Sequence, residues 1–176
     1  MKKPILSLIT ILFVTLIIAV FPTNSSAAET IRTKDGQELP LGDQIAIRTL
    51  VALNDAYSSH DPSRIKAIDL RTKQNSDSEV VKYFEKGNNF KLLRVDLNSA
   101  GENKINGIML YTMEIVSPEH LGKTVNIAYT KFTLVKEDEK WMLFYAEPTN
   151  TPMFKLLELA ENAEKKYGVK NLADLL

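Results

Sequence analysis

The sequence predicts an α+β domain: three N-terminal helices on a strongly bent antiparallel sheet of about four main strands, followed by a C-terminal amphipathic helix. Three observations predict it. Apolar residues recur at helical spacing from residue 43 to 86, the pattern changes to β-branched and aromatic runs after Gly87, and helical spacing returns after Pro152.

Residues 1–28 precede this domain. Lys2 and Lys3, an apolar run from Pro4 to Phe21, then Pro22 and Ser25-Ser26-Ala27-Ala28 have the three-part layout of a secretory signal peptide. Cleavage near Ala28 would release residues 29–176; an uncut segment would anchor them as a membrane helix. Both readings put the domain outside the membrane, because the lysines stay inside. No cysteine occurs anywhere, which excludes a lipid-anchored form, disulfides, thiol catalysis and cysteine-ligated metal. Of the 22 basic residues two lie in residues 1–28, and of the 22 acidic residues none does, so the remainder is two charges negative. That balance gives no footprint for nucleic acid or an anionic membrane.

Residues 29–42 show no helical period. Ile31-Arg32-Thr33 and Gln37-Glu38-Leu39 flank Lys34-Asp35-Gly36, and two readings stay open: a small hairpin around Asp-Gly, or a flexible leader ending at Pro40. The domain proper is expected over 43–150, with 151–176 as a helical extension of it.

Asp43 reads as the N-cap of a helix reaching about Ser59. Ala46, Leu50, Leu53 and Tyr57 form its apolar stripe, widened by Ile47 and Val51, with Gln44, Arg48, Asp55 and Ser59 opposite. Asp61-Pro62 starts a second helix, with Ile65, Ile68 and Leu70 as its inner side. Ser76 and Glu79 stand at capping-box spacing before a third, which buries Val80, Val81 and Phe84 and stops at Gly87. Strands are predicted at 90–97, 105–116, 124–136 and 141–147; their short linkers demand antiparallel pairing, and the longest need a twisted or bent sheet. After Thr151-Pro152, residues Met153, Leu156, Leu157, Ala160, Ala163 and Tyr167 form a last helical stripe, closed by Gly168, and 171–176 add a short turn.

Two stretches resemble a known superfamily. Ala56-Tyr57-Ser58-Ser59-His60-Asp61-Pro62 resembles the passage from first to second helix in the nuclear-transport-factor-2-like (NTF2-like) superfamily. The run from Phe132 to Leu143, with its charged turn before Trp141, resembles that superfamily's closing hairpin. Glu139 stands where glycine is usual, no short strands are evident in 71–75, and the helix after Thr151 is an addition. The nearest rival is a cystatin-like sheet wrapped on a helix. The resemblance implies a cone of helices and bent sheet around a pocket, in a superfamily that holds both enzymes and non-catalytic binders. Its steroid-isomerase pattern has a tyrosine two turns before the residue matching Asp61; here that stretch reads Leu53-Asn54-Asp55, so this role does not carry over.

The pocket candidates come from strand alternation. Met109, Tyr111 and Met113 share one face of their strand, Val125, Ile127 and Tyr129 one face of the next, and Trp141, Leu143 and Tyr145 one face of the last. If these faces point inward, Tyr57, Met109, Tyr111, Met113, Tyr129 and Tyr145 line an apolar pocket with polar tips, suited to a hydrophobic or aromatic ligand. The plainer reading is that they fill the core. Glu147 shares parity with Tyr145 and becomes an acid–base candidate if buried, although its place near a strand end favours the rim. His60 and His120 read as loop histidines without partners at ligand spacing, and Asp61 as a helix cap; no metal and no cofactor is implied. The apolar start of the last helix (Met153, Phe154, Leu156, Leu157) has three uses: plugging the cone's mouth, covering the back of the sheet, or docking on a second subunit.

The functional expectation is a secreted or cell-envelope binding or protein-interaction module, its partner a small apolar ligand or an envelope protein. One alternative is a small lyase or isomerase, which requires Glu147, Asp69 or His60 to face the pocket beside a polar partner. The other is a homodimeric envelope assembly component pairing through the outer face of the sheet.

Overall fold

The computed structural model describes residues 29–84, 87–116 and 123–176. The signal-type opening, the loop that carries His120 and the side chain of Phe84 lie outside the described residues. Among the described residues no helix is long and apolar enough to cross a membrane.

Residues 29–42 take the hairpin form. Arg32 bridges Glu38 in antiparallel fashion, Thr33 N–H donates to the Gln37 carbonyl at 2.8 Å, and Gly36 turns the corner at φ 84°, a conformation glycine adopts without steric cost. Gln44 ties the hairpin down: its side chain accepts from Ile31 N–H at 3.0 Å and donates to the Leu39 carbonyl at 2.7 Å.

Helix α1 spans Leu41–Ser59. It begins before the predicted start, and Asp43 is not its cap: Pro40 holds the N-cap position without a side-chain bond, and Asp43 lies in the first turn. A carboxylate there still meets the positive end of the helix dipole. The buried stripe runs through Ala46, Ile47, Leu50, Val51, Leu53, Ala56 and Tyr57, and His60 ends the helix in the left-handed region. In α2 (Pro62–Lys66) the Asp61 carboxylate caps by accepting from Ser63 and Arg64 N–H. A 3-10 turn at Leu70–Thr72 is capped likewise by Asp69. Ser76 and Glu79 exchange capping-box hydrogen bonds at the head of α3 (Asp77–Phe84). Gly87 does not cap α3; it already belongs to the first strand.

Strands β1 (Gly87–Ala100), β2 (Lys104–Val116), β3 (Lys123–Glu137) and β4 (Lys140–Pro148) form one antiparallel sheet in sequence order. Asp138 and Glu139 turn β3 into β4 with φ 46° and 64°, the two positive angles of a tight hairpin turn whose twist matches its strands. The register shifts three times along the β1–β2 pair and once along β3–β4, between Thr133 and Leu134.

Paired residues project to the same face of a sheet, which separates the two faces. Leu92, Val95, Met109, Phe132, Leu134 and Leu143 belong to the core with the α1 stripe. Burying such a side chain fully contributes about 1.5–3 kcal/mol. On the outer face Leu110 lies between Arg94 and Tyr129 and is completely buried. Helix α4 (Met153–Tyr167) covers that face, touching β1, β2 and β3. Tyr167 anchors it: the side chain is buried, its hydroxyl donates to the Val95 carbonyl at 3.0 Å, and its carbonyl accepts from Lys34 N–H at 3.1 Å. Gly168 (φ 73°) closes the helix, and a 3-10 turn at Leu172–Leu175 buries Leu172. Of the three uses open to this helix, it serves as cover for its own sheet, with Met153, Phe154 and Leu157 exposed.

Candidate functional site

Helix α1 delivers Asn54 and Tyr57, one turn apart, to the inner face of the sheet, where β2 presents every second residue. Between them lies a cavity of about 320 Å³. Its floor is Met109, Tyr111, Met113 and Ile115 from β2, and its walls are Phe90 from β1, Thr130 from β3 and Leu143, Ala146 and Pro148 from β4. Arg71, at the 3-10 turn, supplies the charged edge. Phe90 stacks between the two tyrosines, with centroids 5.6 Å from Tyr57 and 6.2 Å from Tyr111, both tilted as aromatic quadrupoles prefer.

Behind Tyr57 lies an ion pair that reaches this cavity wall. Asp69 is 0% exposed. It is fixed by a single parallel bridge to Leu143, whose N–H donates to the Ile68 carbonyl at 2.7 Å. Its Oδ1 accepts from Arg71 N–H (3.0 Å) and Nε–H (2.9 Å), and its Oδ2 from the Tyr57 hydroxyl (2.6 Å) and Arg71 Nη2 (2.7 Å). Arg71 Nη2 also donates to the Tyr57 oxygen at 3.0 Å. Two carboxylate oxygens have about four acceptor sites, and all four are taken. Burial, then the charge of Asp69, push the Tyr57 pKa well above the ordinary value of 10.0. Burial disfavours the Arg71 charge, but its bonds to Asp69 and Tyr57 outweigh that and hold its pKa above the usual value. Tyr57, Asp69 and Arg71 thus form one hydrogen-bonded unit at the cavity wall.

Two polar groups of the wall are not satisfied. Asn54 Nδ2 and Thr130 Oγ1 are buried without a hydrogen-bond partner. Asn54 is 6% exposed and Thr130 3%. A buried donor left unpaired costs about 1–3 kcal/mol.

Of the sequence-predicted residues, Tyr57, Met109, Tyr111 and Met113 come together on the cavity. Three others are corrected. Tyr129 pairs with Leu110 on the outer face, half-buried, with its pKa raised mainly by burial. Tyr145 pairs with Thr133 on that face and is 44% exposed. The register shift after Leu134 inserts Phe144 and turns Tyr145 away from the side of Leu143. Glu147 is exposed beside it, pairs with Lys131, and accepts the Tyr145 hydroxyl at 2.6 Å, which raises the tyrosine's pKa. His60 is held at the end of α1, its Nε2 3.0 Å from the Gly87 carbonyl. Among the described residues no cluster of His, Asp and Glu is placed to hold a metal.

Asn54, Phe90, Arg71 and Thr130 were not among the predicted residues. Asn54 had a legible signal: it stands three residues after Val51 and three before Tyr57, a polar side chain inside an apolar stripe. Asp69 was named only as a condition for catalysis; a one-residue bridge leaves no periodic trace.

No protein-family model and no curated protein sequence matches the chain. Solved structures do. A candidate scytalone dehydratase from Novosphingobium aromaticivorans superposes with TM-score 0.51 at 12% identity, over 62% of this chain and 84% of that one. A protein with a cystatin-like fold from Caulobacter vibrioides gives 0.50 at 10%, over 72% and 99%. An NTF-2-like protein of unknown function from Shewanella oneidensis gives 0.46 at 10%, over 61% and 98%. At such identities the likeness is one of fold alone, and that fold is consistent with the NTF2-like resemblance of the sequence; its neighbours include a candidate dehydratase and a protein described as cystatin-like. The cystatin-like description that rivalled it in the sequence occurs among the same neighbours.

Proposed function

We propose that this protein is an extracytoplasmic, non-catalytic binding module whose helices and sheet form a cone-like enclosure for one small, largely apolar ligand. Cleavage near Ala28 sets it free in the envelope or medium. One observation carries the binding reading: a cavity of about 320 Å³, walled by aromatic and methionine side chains, whose buried carboxylate already has its acceptor sites taken. That volume falls at the lower end of the roughly 300–1,000 Å³ of small-molecule sites. A general base needs a free lone pair facing its substrate; the Asp69 oxygens spend theirs on Tyr57 and Arg71.

The lyase or isomerase reading rests on Asp69 standing behind Tyr57 at the cavity wall, and it would require this network to open. An assembly role through the outer face would run over α4, whose Met153, Phe154 and Leu157 are exposed.

The test is to express the full chain with its own opening segment, purify the exported protein under native conditions, and identify what it carries by mass spectrometry. The reading predicts a small organic molecule released on denaturation. A stoichiometric protein in its place, or conversion of the captured molecule by the purified protein, would contradict it.

A further inference from the structure

The two unsatisfied groups say what kind of molecule the cavity takes. Both Asn54 and Thr130 line it, one from α1 and the other from β3. Neither polar atom has a partner, and each has less than 1 Å² of accessible surface, so water does not reach it. For an occupant to reach either atom the side chain must change rotamer, as side chains commonly do on binding.

Most of the remaining wall is apolar; its other polar groups are the Tyr57 and Tyr111 hydroxyls and the Arg71 guanidinium. Phe90, Met109, Met113 and Ile115 are apolar. The Arg71 guanidinium is matched by Asp69 through Nε and Nη2, so the pair brings no net charge to the site. The Tyr57 hydroxyl already gives its proton to Asp69. What the cavity lacks is therefore an acceptor without a charge. A carboxylate would lose its hydration against a guanidinium already neutralised, whereas a carbonyl brings two lone pairs at a much smaller desolvation cost.

We infer that the cavity selects a small uncharged molecule with an apolar or aromatic body and a carbonyl group, as in a ketone, ester or aromatic amide, and that Asn54 and Thr130 read the carbonyl. This rests on the binding reading given above and specifies the ligand class within it.

Three probes of nearly one shape test it by isothermal titration: acetophenone, α-methylstyrene (a methylene in place of the carbonyl oxygen) and benzoate. Acetophenone is expected to bind at least about tenfold more tightly than α-methylstyrene, the yield of one good buried hydrogen bond. Thr130→Val and Asn54→Leu are each expected to remove most of that preference. Equal affinity for acetophenone and α-methylstyrene would overturn the carbonyl assignment and leave the apolar binding reading standing. Benzoate as the tightest of the three would overturn the uncharged class and point to Arg71. Binding of none of them by the folded protein would overturn both readings. A second measurement needs no ligand. Thr130→Val removes a hydroxyl that has no partner, so its thermal midpoint should equal or exceed the parent's. A clear drop would mean that the hydroxyl is bonded within the protein, and the assignment would fall.

Discussion

The molecule makes the same hydrogen bond twice in two different places. Tyr57 donates to Asp69 and Tyr145 to Glu147, both at 2.6 Å. Asp69 is completely buried behind the cavity, held by Arg71 as well. Tyr145 and Glu147 lie on the outer face in water. In a low-dielectric site each member of such a network depends on the others, and removing one strands its partners. On the surface water replaces whatever is lost. Identical geometry therefore carries different weight, and burial is what separates a pair that holds the cavity wall from one that decorates an edge.

The largest effect that sharpens this contrast is expected from Asp69→Ala. It leaves the Arg71 guanidinium and the Tyr57 hydroxyl without their acceptor, a loss of about 3 kcal/mol, taken at the low end for broken buried pairs because Arg71 is partly exposed. Urea unfolding measures it, and a loss below about 1 kcal/mol would break the contrast.

Tyr57→Phe comes next, at about 1–3 kcal/mol, and it carries a signature in pH. The folded-state pKa of Tyr57 lies well above the ordinary 10.0, so the folded protein keeps a proton that the unfolded chain releases. The stability this contributes is complete below about pH 10 and is lost as pH rises toward the folded value, by about 1.4 kcal/mol per pH unit. Unfolding curves between about pH 9 and 11 should show that slope in the parent and a shallower one in the Phe variant. The smallest effect is expected from Tyr145→Phe: no change in the unfolding midpoint. A shift matching that of Tyr57→Phe would mean that burial does not separate the two pairs.

The same contrast explains what was legible in the sequence. Helix caps and turns depend on a few neighbouring residues, and so the Asp61 cap, the Ser76–Glu79 box and the Gly168 stop could be read directly. Alternation placed Met109, Tyr111 and Met113 together for the same reason. Which face of each strand turns inward depends on its neighbour's register, and a one-residue slip reverses every side chain beyond it. That is how Tyr129 and Tyr145 were misplaced: the first faces outward with Leu110, and the second lies past the register shift at Thr133–Leu134. Asp69 and Arg71 meet Tyr57 only because one bridge draws the 3-10 turn against β4. Contacts of that kind lie beyond any local pattern.

The central claim is that the space beside Tyr57 is a ligand site, and the methionines report on it directly. Met109 and Met113 line the cavity. Met142 and Met153 do not; Met153 is exposed at the start of α4. In ¹³C-methyl-methionine spectra titrated with acetophenone, Met109 and Met113 should shift saturably while Met142 and Met153 stay unmoved. Shifts confined to Met153, or none at saturating ligand, would contradict that claim.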